Sequence, residues 1–406
     1  MQPATFDLAK VLRPIKPEDF FRDYWEKKPL LIPRNDPNYY RGLPTLRDVD
    51  AMIAFSRPKF LEPGDFKPHG PTSHPFVQGW LADDEPFPTV LYPTVADVQQ
   101  AFMRGKTVIL NATDHRWPAS AALSRSLEGL FGCPVHANLY LTPKGAQGFH
   151  AHFDGHEVFI LQLEGTKHWR FYGPGRELPL ADEDGPVPRE QIGPLTQEAF
   201  VQPGDLLYMP RGHIHEAFTS DQASMHLTIG VKVYRMADLV RLAVDAMTRR
   251  DVRFREAVPL GVLPAGRATE SLKEKFGELL HALADGGRVE EAVDRLAGGF
   301  VRKLTPLPAD YFFAAEDAEC VGPDTPVEKA PGVVYRVTGG DDWAAVEFPG
   351  GRVDGPAKIA SALRFIDEAA RFKPHDLPDD LTADGKVILV RRLVRARFLV
   401  PSDPQR

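Results

Sequence analysis

The stretch GFHAHFDGHEVFILQLEGTKHWRFY, residues 148–172, carries two patterns at once. Most of it reads as buried β-strand. At its start, however, His150, His152, Asp154 and His156 fall at alternating positions, and His168 follows further on. Residues i and i+2 of a strand face the same way, so His152 and Asp154 direct an imidazole and a carboxylate to one side, at a separation that suits one metal ion.

A second stretch, PGDLLYMPRGHIHEAF at 203–218, reads as a turn, a strand, a tight Pro-Arg-Gly turn and a further strand carrying His213 and His215. Two imidazoles and one carboxylate make a facial triad. Its open positions suit Fe(II) with a chelating co-substrate and dioxygen. A closed zinc site needs a fourth protein ligand, and no cysteine lies near in sequence. Periodicity does not choose among the histidines: His150 could replace His152, and His213 could replace His215. An HxD pair alone is a weak signal. Joined to a histidine that follows a PGD–strand–PRG element, it has the layout of a double-stranded β-helix, whose ligands come from strands distant in sequence and adjacent in the barrel.

Composition sets the bounds. The chain has 406 residues, 43% apolar and 26% charged, enough for two or three domains with at least one sizeable core. No run suggests a membrane span, and the N-terminus lacks a signal-peptide layout. Only Cys133 and Cys320 occur, far apart, which argues against a disulfide scaffold and for a reducing cytoplasm. The 38 prolines favour many turns and short strands. A net charge of −7 argues against general nucleic-acid binding.

Along the chain, PEDFFRDYWEKKPLLIPR reads as a short helix running into a strand at Leu30–Ile32, and residues 85–115 look mixed, with TVILNAT as a strand. From about 133 to 235 glycine and proline punctuate closely spaced strands, as an antiparallel β-fold requires. After Tyr234 helical spacing takes over, at Leu239, Leu242, Ala243, Ala246 and Met247, then at Leu272, Phe276, Leu279, Leu280 and Leu283. A third helix is predicted over 288–297, stopping at Gly298–Gly299. The apolar faces of these helices need a cover, from a partner subunit or from the chain's own core. From 306 a small α+β module follows: a hairpin in GVVYRVTGG and AAVEFPGG, a helix in GPAKIASALRFIDEAARF, and a helix or strand pair in GKVILVRRLVRARFLV.

The two ligand-bearing stretches, with YWEKKPLLIPR at Tyr24 to Arg34, resemble the ribosomal oxygenases, a JmjC-type cupin family of Fe(II)- and 2-oxoglutarate-dependent protein hydroxylases. The resemblance implies an α+β chain in three parts: a double-stranded β-helix catalytic domain with an N-terminal extension (1–235), a helical dimerisation region (236–305) and a winged-helix-like C-terminal module (306–406). It implies His152, Asp154 and His215 as iron ligands, and leaves His150, His156 and His213 at the rim or behind the ligands. It assigns Lys167 to the distal carboxylate of 2-oxoglutarate. Lys167 shares parity with Trp169 and Phe171, so an inward face fits; a lysine at a hairpin end is otherwise a surface residue. Related arginine hydroxylases tend to carry Arg there, which places this chain nearer the histidine-hydroxylase branch. By the same resemblance Asn138 and Tyr140 line the pocket, although Tyr140 also reads as core with its hydroxyl satisfied. Trp169 reads as packing, Arg170 as an ion-pair donor, Glu164 and Asp205 as turn residues, and Arg211–Gly212 as the turn that positions His215.

The implied reaction is hydroxylation of a histidine or arginine side chain in a ribosomal protein, by a homodimer. The alternatives are the same chemistry on a small molecule or free peptide, and a metal-binding cupin scaffold without catalysis. Demethylation of a methyl-lysine needs a methyl-ammonium cage that nothing in the sequence indicates. A winged helix invites a DNA-binding reading, but residues 306–406 hold 13 Lys/Arg against 17 Asp/Glu, a net of −4, and phosphate binding needs cationic surface. The run Arg391, Arg392, Arg395 and Arg397 reads as a solvated face, and the module as structural or substrate-positioning.

Overall fold

The apolar run after Asp154 becomes a central strand because it is covered on both faces. A computed structural model describes residues 6–55, 77–80, 95–181, 183–284, 287–307 and 310–402; the 85–94 part of the mixed region lies outside these. The chain divides into two units, Met1–Val233 and Tyr234–Arg406. The strands of the first are β1 (Leu30–Ile32), β2 (Val77–Trp80), β3 (Thr107–Leu110), β4 (Val135–Thr142), β5 (His152–Phe153), β6 (Glu157–Glu164), β7 (Lys167–Pro174), β8 (Gly185–Pro186), β9 (Gln197–Val201), β10 (Leu206–Met209), β11 (His213–Phe218) and β12 (Ser224–Val231). They form an antiparallel sheet in the order β1-β10-β6-β12-β4-β3-β2 and a smaller one in the order β8-β5-β11-β7-β9. From β5 onward the chain passes repeatedly between the two sheets, the double-stranded β-helix expected, and this brings β5 beside β11.

The parity of β6 explains its composition. Val158 and Ile160 pack against Trp169, Phe171, Ala199 and Val201 of the facing sheet. Phe159 points the other way, its ring centroid 5.6 Å from Phe20 and 6.0 Å from Phe131. Those two belong to the helices α2 (Pro17–Asp23) and α5 (Pro118–Phe131), which with α1 (Leu8–Leu12), α3 (Leu46–Phe55) and α4 (Val95–Met103) complete the described α-helices of this unit. A strand buried on both faces reads as a continuous apolar run.

The structure departs from the sequence reading at the start of that run. The β5 strand is only two residues long, and the chain leaves the small sheet at Asp154–His156 before entering the large one as β6. Gly155 permits the crossing: a Cβ there would lie 2.8 Å from the Leu180 carbonyl oxygen. Asp154 is therefore presented by a turn and not by strand parity.

In the second unit the helices are α6 (Met236–Arg250), α7 (Val262–Ala265), α8 (Glu270–Leu283), α9 (Gly287–Lys303), α10 (Ala314–Glu319), α11 (Ala360–Glu368) and α12 (Ala383–Arg395). The strands β13 (Val327–Lys329), β14 (Arg336–Gly339), β15 (Trp343–Phe348), β16 (Gly351–Pro356), β17 (Arg371–Phe372) and β18 (Leu399–Pro401) form two sheets, β17-β13-β18 and β14-β15-β16. The ambiguous tail segment resolves as helix α12 followed by strand β18. Helix α9 runs on past Gly298–Gly299, where a stop was expected. The reason is close approach: a Cβ on Gly298 would sit 2.6 Å from Arg336 Nη2, and Arg336 bridges Asp294 and Glu347, each at 2.6 Å. No helix among the described residues is long and apolar enough to cross a membrane.

Candidate active site

Pairing of β5 with β11 puts His152 directly opposite His215. Their ring centroids are 4.4 Å apart, and Asp154 Oδ2 lies 3.6 Å from His215 Nε2. One ligand atom from each of His152, Asp154 and His215 lies within 4.8 Å of the others. The donor set fits a divalent metal in its details. His152 Nδ1 bonds the carbonyl of His150 at 2.8 Å, and His215 Nδ1 bonds the carbonyl of His213 at 2.9 Å. A carbonyl can only accept, so each Nδ1 carries the proton and each Nε2 keeps its lone pair for a ligand. His150 and His213 thus act through their backbone oxygens, and their rings stay outside the cluster.

Electrostatics agrees with this arrangement. Burial, and next the neighbouring His152 ring, pushes His215 down to about 4, so it is a neutral ligand at physiological pH. Burial lifts the Asp154 carboxyl, but the imidazoles of His156, His152, His215 and His136 outweigh it and hold the group below its ordinary range.

The Pro-Arg-Gly turn fixes both halves of the cluster. Gly212 sits at φ +83°, and a Cβ there would overlap the Arg176 carbonyl oxygen. Its N–H donates to the Asp154 carbonyl at 2.9 Å. Arg211 reaches Glu157 at 2.9 Å and Glu26 at 2.6 Å, and Tyr208 donates its hydroxyl to Glu157. Glu157 is buried and pushed up to about 7 by that burial.

Lys167 begins β7 just after Gly165, which takes a left-handed φ of +62°. With Trp169 and Phe171 it is buried on the inward face. Its Nζ donates to Thr142 Oγ1 at 2.6 Å, and burial pushes it down to about 7. Asn138 Oδ1 accepts from the Ala112 N–H at 2.9 Å. Burial pushes the Tyr140 hydroxyl upward, and the neighbouring Asn138 side chain opposes that shift. The Tyr140 ring stacks on His226 at 5.0 Å and 5°. Asn138, Tyr140, Thr142, Lys167, Trp169 and His226 line one cavity of about 530 Å³ with His152, Asp154 and His215. Arg170 pairs with Glu198 at 2.7 Å, and Asp205 accepts from the backbone of Arg34 and Gln202 at 2.8 and 2.9 Å, as a turn residue does.

The sequence reading did not single out Thr142, His136 or His226, which also line the cavity. Parity held the signal for two of them: His136, Asn138, Tyr140 and Thr142 alternate along β4.

Comparison with known proteins agrees with this geometry. Residues 112–239 match the JmjC domain family. The chain is 30% identical over 358 residues to "Ribosomal oxygenase 2" of Mus musculus, covering 82% of this chain and 70% of that protein. It is 33% identical over 317 residues to the Aedes aegypti "Bifunctional lysine-specific demethylase and histidyl-hydroxylase NO66", covering 73% and 48% respectively. In three dimensions it resembles the Escherichia coli ribosomal oxygenase YcfD, with a TM-score of 0.56 at 17% identity over 96% of this chain and 98% of that one. A further YcfD structure, in complex with cobalt and 2-oxoglutarate, superposes with a TM-score of 0.54 at 17% identity, covering 96% of this chain and 99% of that one. At this identity the likeness concerns the fold.

Proposed function

This chain belongs to the ribosomal oxygenases, JmjC-domain proteins of the cupin fold, and we propose that it is an Fe(II)- and 2-oxoglutarate-dependent dioxygenase hydroxylating a histidine or arginine side chain of a ribosomal protein. One observation carries the reading: three metal-ligand side chains and one buried lysine converge on a single cavity. His152, Asp154 and His215 would hold the metal, a donor set of two imidazoles and one carboxylate that suits Fe(II) oxygen chemistry. When bound, the iron supplies oxygen activation: one oxygen atom enters the target C–H bond, and the other enters succinate as 2-oxoglutarate loses carbon dioxide.

The chain's own residues bind and orient. Lys167, steadied by Thr142, meets the distal carboxylate of 2-oxoglutarate with a charge-assisted hydrogen bond. Asn138 and Tyr140 shape the wall between co-substrate and target. Val158, Ile160 and Trp169, which line the same cavity, keep bulk water from it. The net charge of −7 suits attraction of basic ribosomal proteins.

The remaining parts take supporting roles. Residues 1–235 serve as the catalytic domain, 236–305 as the dimerisation region and 306–406 as a winged-helix-like module. Exposed Met236, Val240 and Val244 on α6 and Phe276 and Leu280 on α8 support a homodimer formed through these faces. Arg391 is bonded to the carbonyls of Val321 and Glu319, and Arg397 pairs with Asp317 at 2.7 Å, which speaks against a DNA-binding surface built from that run. Cys133 and Cys320 are not joined in a disulfide, which suits a cytoplasmic location.

The test is incubation of the purified protein with Fe(II), 2-oxoglutarate and ribosomal proteins, followed by peptide mass spectrometry for one added oxygen. A single modified histidine or arginine is expected. Full activity retained by both His152→Ala and Asp154→Ala overturns the ligand assignment.

A further inference from the structure

One loop lies against both of the turns that carry metal ligands. Residues 175–181 leave β7 after Pro174 and run toward β8. At the start of this loop the N–H groups of Gly175 and Arg176 donate to the Gly212 carbonyl at 2.8 and 3.3 Å. A Cβ on Gly212 would overlap the Arg176 carbonyl oxygen and lie 2.9 Å from Pro179 Cδ. Further along, the Leu180 carbonyl oxygen and Ala181 Cα would lie 2.8 and 3.3 Å from a Cβ on Gly155. Gly155 directly follows Asp154, and Gly212 opens the approach to His215. The loop therefore crosses the place where the two ligand-bearing motifs are joined by the Gly212 N–H bond to the Asp154 carbonyl. Gly175 is packed just as closely: a Cβ there would lie 2.6 Å from Ile214 Cγ1 and 3.6 Å from Phe153 Cδ1. Ile214 precedes His215, and Phe153 stands between His152 and Asp154.

Burial does little to hold this loop in place. Leu178 is 45% and Leu180 42% exposed, and of residues 175–181 only Pro179 is buried. Leu178 also takes a left-handed φ of +44°, a costly conformation for a residue with a Cβ, which persists where the surroundings impose it. What closes the loop is polar. Glu183 Oε2 accepts from Arg176 Nε at 3.1 Å and from the Leu180 N–H at 2.8 Å, and Arg176 Nη2 donates to Glu183 Oε1. A guanidinium paired through two N–H groups to one carboxylate fixes direction as well as distance.

We propose that Arg176 and Glu183 are positioning residues for the metal. Their pairing locks residues 175–181 as a strap across the turns at Gly155 and Gly212, and so keeps the Asp154 carboxylate in line with the rings of His152 and His215. The proposal rests on the metal assignment above and on no particular substrate. The two imidazoles are aimed by carbonyls of their own chain segments. Asp154 is presented by a turn, so its direction depends on what holds that turn: Gly212 on one side and the strap on the other. Groups that hold a ligand in place count strongly toward metal affinity. The Arg176–Glu183 pair itself is 58% and 28% exposed, and an exposed pair adds little to global stability. Loss of the pair should therefore weaken metal binding while the fold stays as stable as before.

The experiment measures cobalt(II) affinity of the whole chain, from the visible absorption of the bound ion in competition with a chelator. Arg176→Met and Glu183→Gln are each expected to weaken binding by about tenfold, with little change in Tm. The double variant should lose no more than either single one, because either change opens the same contact. Arg176→Lys keeps the charge without the two-pronged geometry and should fall between parent and Arg176→Met. In the metal-free protein, hydrogen exchange at the amides of Gly175, Arg176 and Gly212 should quicken in Arg176→Met, while the amides of β6 keep their protection. Arg22→Met breaks a comparably exposed pair, with Asp23 at 2.7 Å, and should leave both readings at the parent's values. Affinity unchanged in both single variants, losses that add in the double variant, or an equal loss in Arg22→Met overturns the proposal. A parent protein that binds no cobalt removes the metal assignment and the strap with it, whereas a parent that binds it as tightly as both variants removes the strap alone.

Discussion

The backbone N–H of Gly212 donates to the backbone carbonyl of Asp154 at 2.9 Å. The hydrogen bond joins the two ligand-bearing motifs, more than fifty residues apart, at the point where each leaves its strand. Gly212 also holds a left-handed φ of +83° against the Arg176 carbonyl. Gly212→Ala is therefore expected to cost about 1–3 kcal/mol in stability and to displace Asp154 as well. Thermal unfolding and metal-binding titration check both; unchanged metal affinity in a destabilised variant breaks the link.

With Lys167 in its proposed role, co-substrate binding is expected to depend on pH. Its folded-state value lies at about 7, depressed from 10.5 by burial. Between those values the unfolded chain holds a proton that the folded chain has released. The ligand-free protein therefore gains stability as pH rises through that window. Binding of a dicarboxylate requires the ammonium, so it takes up a proton above pH 7. The dissociation constant for 2-oxoglutarate is expected to rise about tenfold per pH unit there. In Lys167→Met, binding weakens and this slope disappears, as calorimetry in several buffers can show.

Removal of one ligand should separate metal holding from folding. In His152→Ala the partners of the ligand cluster remain, and the sheets are held by their own cores. Iron affinity is expected to fall by about 10-fold or more, as it does even for loss of supporting groups around a metal. Circular dichroism should stay that of the parent. Loss of the β signal in the metal-free variant would show that the ion holds the fold.

Arg211 meets two carboxylates, one of them the fully buried Glu157. Arg211→Met leaves Glu157, already pushed up to about 7 by burial, to take up a proton, and is expected to cost about 1–3 kcal/mol from the hydrogen bonds left unmade. Adding Glu157→Gln should recover part of that loss, since a neutral amide no longer calls for the cation. Urea unfolding of the single and double variants measures the recovery; strictly additive losses rule out direct coupling.

The exposed stripe on α6 and α8 is expected to hold two copies together. Val240 is 51% and Phe276 62% exposed, more than a face packed on its own chain shows. Val240→Glu with Phe276→Glu should give a monomer in sedimentation at micromolar concentration, with an unchanged circular dichroism spectrum. A parent protein that already sediments as a monomer removes the assignment.

Legibility followed distance along the chain. Parity within one strand placed Lys167 inward beside Trp169 and Phe171, and the Pro-Arg-Gly turn announced His215. Between His150 and His152 periodicity left the choice open; the fold gathers the His152 ring with Asp154 and His215 and uses His150 through its carbonyl, and neither leaves a mark in residue types. Asp154 carried the right side chain for a different backbone reason, the turn at Gly155. The packing of residues 175–181 on Gly155 and Gly212 depends on contacts between turns far apart in sequence, and a single chain read in order does not contain those contacts. Gly298 misled for the same reason: Arg336 had to arrive before its purpose was visible.

Both imidazoles of the metal cluster are tethered by the carbonyl two residues before them, with no ion required to aim them. Loss and uptake of a metal are therefore expected to proceed without refolding, as in a socket that keeps its shape when empty. Exchange of a spent or oxidised ion would then be a local event, limited by access through the cavity mouth.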